Sequence, residues 1–230
     1  MIRLQPARLA LVSSAALLCC VLSSSDCLSQ QYSAGLLGGY SGGTGFQLQG
    51  TASHLSPTFP ASLRLGVERM SLDPGDPDAA RAIFINNATN GTPEERGHVW
   101  AFRFDVLYPL SHPRSPQRLQ LFGGPRFARF SGNFKYVGGN EDFDVRGNHW
   151  GWGGGLELGF PVSPRTELTV IGGLDYFLGA TLTGHDTSYS PDGTTVNQRE
   201  DYTYRDADDA VNQPAFEPRI LAGVNYRFGR

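Results

Sequence analysis

Apolar and polar residues alternate one by one along five segments of the chain. In the first segment, residues 61–69, Leu63, Leu65 and Val67 alternate with polar or small neighbours. The same period of two runs through residues 99–110, 149–161, 166–178 and 218–228. This period predicts β-strands that have one apolar and one polar face. The segments have about the length of a tilted strand that crosses a bilayer, which needs ~9–11 residues.

Three further segments show the alternation more weakly. Residues 32–40 and 46–53 are rich in glycine but keep apolar side chains at a spacing of two. Residues 118–130 alternate imperfectly, because Leu121 and Phe122 are adjacent. With these three segments, the chain is predicted to form eight strands.

The connections between the predicted strands fall into two classes by length. Short connections that contain proline occupy residues 54–60, 111–117 and 162–165. Longer and more polar connections occupy residues 71–97, 138–147 and 183–217. Counted back from the last strand, all the short proline turns fall at one end of the strands and all the longer loops at the other. An even number of strands with this asymmetry is typical of an all-β, eight-stranded antiparallel up-and-down transmembrane β-barrel, whose short turns face the periplasm.

The polar faces of the predicted strands carry charges of both signs. Such a barrel is about wide enough to be filled by its own side chains. The predicted inward cations are Arg64, Arg103, Arg126, Arg219 and Arg227, and the inward anions are Glu68, Asp105, Glu157, Glu167 and Asp175. Charges withdrawn from bulk water persist when they are paired or hydrated, so we expect an ionic network that fills the lumen and leaves little or no conductance. The alternative is a set of isolated charges solvated by trapped water. Inward glycines at 151, 153 and 155 would make room for long arginine side chains.

Aromatic residues on the apolar faces fall in two bands. Trp100, Trp150, Trp152 and Tyr176 would lie near the outer rim, and Tyr108, Phe160, Tyr226 and Phe228 near the periplasmic rim. Amphipathic rings settle at the headgroup level of a membrane, and transmembrane barrels carry two such girdles. The alternative is that these rings form the core of a soluble β-sandwich.

The first residues have the layout of a secretory signal peptide. Arg3 and Arg8 precede an apolar run, Leu9–Leu22, and a serine-rich patch follows at Ser23–Ser25. The run is too short for a permanent transmembrane helix. We therefore expect a signal peptide at residues 1–29 and a barrel at residues 30–230; a retained anchor helix and a lipoprotein signal at Cys27 are the alternatives. All three cysteines, at positions 19, 20 and 27, lie in or beside this leader, so no disulfide framework is expected in the barrel.

The charge balance and hydropathy narrow the class of protein. The formal net charge is −3 and Lys135 is the single lysine, so the chain lacks the basic surface of a nucleic-acid-binding protein. No second apolar run of about 18 residues follows the leader, which excludes a bundle of transmembrane helices. Strands that alternate average out to weak hydropathy, so this absence is compatible with a barrel.

No motif with catalytic or metal-binding spacing stands out. The histidines are at positions 54, 98, 112, 149 and 185, and no Ser/His/acid set falls on one inward face near the outer rim. We expect neither an enzyme, a cofactor nor a metal site; His149, inward and near the outer rim, is expected to be a hydrogen-bonded lumen residue. Acidic residues crowd the segments 73–78 and 200–209, and a calcium site there is the alternative.

The last predicted strand carries a recognisable motif. Residues 221–228 resemble the C-terminal β-signal of outer-membrane proteins, polar-x-Gly-x-x-aromatic-x-aromatic, through Gly223, Tyr226 and Phe228. The chain as a whole resembles the small eight-stranded OmpA/OmpX-like and PorT-like outer-membrane barrels in pattern. The resemblance implies location in the bacterial outer membrane, contact with its lipid, and recognition by the barrel-assembly machinery.

Three functions from different classes follow. The first is a structural or surface-interaction barrel whose long loops, 71–97 and 183–217, contact the exterior or a protein partner. The second is a narrow channel, or a barrel subunit of an envelope transport or secretion complex. The third is a soluble, lipocalin-like barrel for a small apolar ligand, which would require Arg103, Glu157 and Asp175 to face outward.

Overall fold

The computed structural model describes residues 30–56, 58, 60–111 and 115–228. The predicted signal peptide, residues 1–29, lies outside the described residues. The described chain forms one antiparallel sheet and two short helices. The strands are β1 (Gln31–Ser41), β2 (Thr44–Ser53), β3 (Ser62–Leu72), β4 (Thr92–Pro109), β5 (Arg118–Val137), β6 (Asp142–Pro161), β7 (Thr166–Phe177), β8 (Leu182–Gly184), β9 (Thr187–Tyr189), β10 (Thr195–Val196) and β11 (Phe216–Phe228). The helices are α1 (Pro77–Phe84) and α2 (Tyr204–Ala210).

The eight long strands close into a barrel. Each pairs antiparallel with its neighbours, β6 pairs with β7, and β1 closes the ring by pairing with β11. When the cross-strand partners are followed from Pro218 once around the barrel, they return to β11 at Phe228, ten residues further along. This stagger means that the strands are tilted relative to the barrel axis. The prediction of an all-β, eight-stranded up-and-down antiparallel barrel is confirmed.

The two faces of the strands separate as the alternation predicts. On β4, Trp100, Phe102 and Phe104 are exposed on the outside, whereas Arg103 and Asp105 are buried inside. Glu157 and Asp175 are also buried inside the barrel. The soluble, lipocalin-like alternative is therefore wrong, because its condition was that these charges face outward.

Three strands extend further than the alternation predicts. β4 begins at Thr92 rather than at 99, β5 ends at Val137 rather than at 130, and β6 begins at Asp142 rather than at 149. The reason is a reversal of polarity along the strands. On the cap side of Trp100, most outward positions of β4, β5 and β6 become polar or charged and most inward positions become apolar or glycine. The connection predicted at 138–147 is consequently a tight hairpin.

The two longest predicted loops are also largely folded. Residues 71–97 include α1, whose N-terminus is capped by Asp76: its carboxylate accepts hydrogen bonds from the amides of Asp78 (2.9 Å) and Ala79 (3.1 Å). Residues 183–217 include β9, β10 and α2, and α2 begins with a capping box formed by Thr203 and Asp206. Neither helix has the length or apolar content needed to cross a membrane. Together these segments form a folded cap at one end of the barrel, and the short turns lie at the other end, which we call the turn end.

Candidate functional site

A group of buried charges lies near the centre of the lumen, slightly toward the cap end. The Asp175 carboxylate lies 3.0 Å from Arg103, 2.8 Å from Arg126 and 3.5 Å from Arg219. Glu68 pairs with Arg103 and lies 3.5 Å from Arg219. All five side chains are at most 1% exposed. Two carboxylates therefore compensate the charges of three guanidinium groups that are buried away from water.

The charges continue as one chain of ion pairs toward the turn end. The Asp105 carboxylate lies 2.8 Å from Arg126 and accepts a hydrogen bond from Arg64, also at 2.8 Å. Arg64 also pairs with Glu157, which lies 2.7 Å from Arg118. The last members of this chain are Glu167, which pairs with Arg118, and Arg227, 2.6 Å from Glu167. Cations and anions alternate along the whole path, which we call the lumen ladder.

The lumen ladder contains one cation that the sequence analysis missed. Arg118 was placed at the start of an imperfectly alternating strand, although it has the same parity as Arg126, and this parity is the signal that could have found it. Arg227, by contrast, lies at the rim and its side chain is 43% exposed. The central charges leave little spare space: a Cβ atom at Gly153 would lie 1.8 Å from Oδ1 of Asp175 and 2.7 Å from Nε of Arg126. The glycine at this position thus makes room for the ion pairs.

Neutral groups form two further layers inside the lumen. A chain of amides runs from Gln47 to Gln49 (2.7 Å), Asn225 (3.0 Å) and Thr169 (2.7 Å). Arg219 donates to Gln47 at 2.6 Å and joins this chain to the lumen ladder. Five buried apolar side chains form a cluster beside the lumen ladder: Leu37, Leu107, Phe122, Ile171 and Leu221. Neither layer was predicted, because the inward set was taken from charged residues only.

The turn end of the lumen is open. A cavity of about 880 Å³ lies there, lined by polar residues that include Gln120, Arg118, Glu157 and Glu167. This cavity forms a vestibule, and residues of the lumen ladder close its inner end. Residues 57, 59 and 112–114 of the adjacent turns lie outside the described part of the chain.

The cap end is closed by an apolar core. Phe84 of α1 packs edge-on against Tyr189 of β9, with ring centroids 5.6 Å apart, and Phe134 stacks on Phe143 at 5.5 Å. These rings belong to a buried cluster that continues through Val99, Ala101 and Ala128 into the barrel. The reversal of polarity in β4, β5 and β6 supplies the barrel half of this core.

One arginine of the cap contacts the extended parts of the long strands. The buried Arg81 guanidinium lies 4.1 Å from the ring centroid of Tyr136 and donates to Asn90 at 2.9 Å and to Glu141 at 2.6 Å. Hydrogen bonds from Arg81 and Asn86 lower the pKa of Glu141 to about 2. Burial, followed by the charge of Asp78, raises the pKa of Tyr136 to about 12.

We expect the ion pair between Arg81 and Glu141 to be lost only in strong acid. The pKa of Glu141 in the folded cap, about 2, lies below its ordinary value of 4.5. Its contribution to stability is therefore complete above pH 4.5 and disappears as the pH falls toward 2. Amide hydrogen exchange in residues 77–90, corrected for the intrinsic pH dependence, should stay slow from pH 7 to 5 and accelerate between pH 4.5 and 2. Glu141→Gln should exchange faster at pH 7 and show a weaker pH dependence; identical profiles for the two proteins would contradict the assignment.

The predicted aromatic residues all lie on the outside of the barrel. Toward the cap end, Trp152 is paired with Tyr176 and Trp150 packs on Phe127 at 5.0 Å, while Trp100 lies in the row above. Toward the turn end lie Tyr108, Phe160, Tyr226 and Phe228, and the rings of the last two are 5.2 Å apart. The outward residues of β4 from Trp100 to Tyr108 span about 26 Å along the strand, at ~3.3 Å per residue. A strand tilt of roughly 40° reduces this length to about 20 Å along the barrel axis, most of the apolar band of about 25 Å in a transmembrane barrel.

The candidate β-signal lies on the strand that closes the barrel. Phe228 is paired with Tyr32 and Tyr226 with Ala34 of β1. A Cβ atom at Gly223 would lie 2.1 Å from the carbonyl oxygen of Leu36, so β1 and β11 can approach this closely only because residue 223 is glycine.

The acidic segments have structural contacts of their own. Asp76 and Asp206 cap the two helices, Asp208 accepts a hydrogen bond from Gln213, and Asp209 lies 3.8 Å from Arg205. Within the described residues, no group of three or more His, Cys, Asp or Glu side chains is arranged to hold a metal ion. His149 is fully buried, with Nδ1 3.3 Å from the carbonyl oxygen of Leu178.

A closed eight-stranded barrel with an apolar outer band and a charged interior defines the class of bacterial outer-membrane β-barrels. A solved structure supports this class directly: a major outer membrane protein from Thermus thermophilus is 27% identical to this chain, with a TM-score of 0.71, over 86% of this chain and 99% of that protein. The N-terminal barrel of Pseudomonas aeruginosa OprF is 12% identical, with a TM-score of 0.42, over 87% of this chain and 98% of that one. Neisserial surface protein A is 14% identical, with a TM-score of 0.37, over 86% and 95%. No protein-family model matches the chain, and neither does any curated protein.

The protein is a small eight-stranded β-barrel of the bacterial outer membrane. Its surroundings are therefore membrane lipid on the outside of the strands. In barrels of this class the short turns face the periplasm and the longer segments face the exterior. We therefore expect the turn end to be periplasmic and the cap extracellular.

Proposed function

We propose that this protein is a non-conducting structural barrel that presents a folded cap at the cell surface. The observation that carries the proposal is the closure of the lumen. The lumen ladder fills its centre, and the apolar core of the cap fills its extracellular end. An ion would have to displace buried ion pairs and then cross an apolar layer, both of which are costly.

The cap is the proposed interaction surface. The segments 71–97 and 183–217 are ordered by helix caps, by the Arg81 contacts and by a shared core, so they present one fixed surface. A rigid surface binds with a smaller loss of conformational entropy than flexible loops do. An extracellular or envelope protein is the proposed partner, and no catalytic step or cofactor is part of the proposal.

The assembly machinery of the outer membrane is a second proposed partner. Gly223, Tyr226 and Phe228 would form the recognised β-signal, and they lie on the strand that closes the barrel by pairing with β1. The rows of outward aromatic residues are proposed to act as the two membrane girdles.

A narrow channel is the second candidate function, favoured by the periplasmic vestibule of about 880 Å³. Conductance in planar bilayers separates the two candidates, with a 16-stranded porin as the positive control for insertion and detection. We expect no steady current from the native protein. Arg118→Ala widens the vestibule without touching the cap, so it should remain silent if the lumen is closed above. A stable current that increases in Arg118→Ala would support the channel and overturn the proposal.

A further inference from the structure

An apolar groove interrupts the outer surface of the barrel. It has a volume of about 580 Å³ and is lined mainly by Leu65, Val67, Phe102, Phe104, Pro125 and Trp150. The groove forms where the consecutive small residues Gly123 and Gly124 precede Pro125 on β5. Pro125 cannot donate a backbone hydrogen bond, and the backbone pairing between β4 and β5 is interrupted at this position. The lipid-facing surface is therefore dented at this position.

Two arginines lie on the same face, just above the groove on the extracellular side. The register places Arg69, Trp100 and Arg129 side by side on β3, β4 and β5. Arg129 is two residues above Phe127, which lines the groove, and this corresponds to about 7 Å along a strand. The guanidinium carbon of Arg69 lies 5.9 Å from the Trp100 ring centroid. Both cations thus stand at the upper edge of the apolar band.

The charge around these arginines is positive. Among the described residues, no carboxylate lies within 4.0 Å of Arg69 or Arg129, whereas the nearby Arg146 is paired with Asp144 at 2.6 Å. His98 lies in the next row. Burial lowers its pKa most, and the charges of Arg69, Arg129 and Arg146 lower it further, while Asp144 acts in the opposite direction. An anion at this level would gain two guanidinium partners that the protein itself leaves without a carboxylate.

We propose that this face binds one phosphate-bearing lipid of the outer leaflet. Its acyl chain would lie in the groove, and its phosphate would accept hydrogen bonds from Arg69 and Arg129. Guanidinium groups match phosphate geometry and form strong charge-assisted hydrogen bonds. A second copy of this chain fits the face poorly, because a stable interface needs about 1,200–2,000 Å² and the copies would bring the same uncompensated cations together.

Native mass spectrometry of the delipidated protein tests the site. The probes are phosphatidylglycerol and a neutral diacyl glucolipid with the same acyl chains, each titrated separately, with inorganic phosphate as a third probe. We expect one phosphatidylglycerol to bind about tenfold or more tightly than the glucolipid, which is about 1.4 kcal/mol or more. Inorganic phosphate alone should bind weakly, because it cannot occupy the groove.

Two sets of variants separate the headgroup from the acyl chain. Arg69→Gln with Arg129→Gln should abolish the preference for phosphatidylglycerol, whereas Arg205→Gln, on the exposed cap, should keep it. Val67→Phe should fill the groove and weaken both lipids. Heat-modifiable mobility on a gel shows that each variant has kept its barrel. Equal binding of the two lipids by the native protein, an unchanged preference in the double variant, or a dimer in place of a lipid adduct would overturn the proposal.

Discussion

Asp175→Asn is expected to lower the free energy of unfolding by about 3–5 kcal/mol, the usual cost of removing one partner from a buried ion pair. Asp175 is the shared partner of Arg103, Arg126 and Arg219, and its side chain is 0% exposed. The substitution keeps the shape of the side chain, removes its charge and replaces one acceptor oxygen by an NH2 group that can only donate. Three guanidinium groups then depend on Glu68 and Asp105 alone. Reversible urea unfolding in lipid vesicles measures the loss.

The control for this prediction is an aspartate of the same type outside the lumen. Asp209→Asn removes a charge from α2, where the side chain is 73% exposed and its arginine partner is 3.8 Å away. Exposed pairs contribute little, so its effect should stay within about 0.5 kcal/mol. Adding Arg219→Gln to Asp175→Asn should recover part of the loss, because one uncompensated cation is removed. A loss below about 1 kcal/mol for Asp175→Asn would mean that water, rather than the carboxylate, compensates the three cations.

The barrel itself was predictable because the membrane imposes one rule on every strand that crosses it. Lipid admits apolar side chains only, so Trp150 and Trp152 must alternate with inward Gly151 and Gly153 along β6. The same rule placed Arg64, Arg103 and Asp175 inside without knowledge of their partners. Which cation meets which anion depends on register and tilt, and neither can be obtained from one strand alone.

The cap was not predictable by the same reasoning, since the rule reverses above the membrane. On β5, Phe130 and Phe134 point inward while Arg129 and Lys135 point outward, as in a water-soluble barrel. A search for apolar residues on the lipid-facing parity therefore ends β5 at 130, seven residues before its actual end at Val137. A change of parity in the apolar positions, followed by an Asp76-Pro77 helix start, is the signal that could have revealed the cap.

Arg81 illustrates the limit for single residues. It lies in a segment predicted as a loop, and nothing in its neighbourhood in sequence announces burial. Its partners Tyr136 and Glu141 lie more than 50 residues away, on a hairpin whose extension was not predicted. Long-range contacts decide the position of Arg81, and one sequence carries no record of them. Arg118 was missed for a different reason: the adjacent apolar residues Leu121 and Phe122 made the alternation of β5 look imperfect, although Arg118 has the parity of the inward Arg126.

A charge on the outside of the barrel should be costly in proportion to its depth in the membrane. Leu36 lies midway along β1, is 56% exposed and is flanked by Leu48 and Val224 on the neighbouring strands. Leu36→Arg is therefore expected to destabilise the folded protein by about 2–4 kcal/mol, the cost of arginine at the bilayer midplane. The measurement is unfolding in vesicles of fixed thickness, so that the depth of the substituted position is defined.

The matched control changes the depth and keeps the introduced residue. Thr44 begins β2 at the cap end of the barrel and faces outward, and Thr44→Arg should cost only about 0–1 kcal/mol, since arginine near the interface reaches water. In a water-soluble barrel the order would not depend on depth, because both positions would be equally hydrated. Equal costs for the two variants would therefore contradict the presence of lipid at the outer surface of β1. Lipid contact would then no longer explain why apolar residues face outward and charges face inward along the other strands.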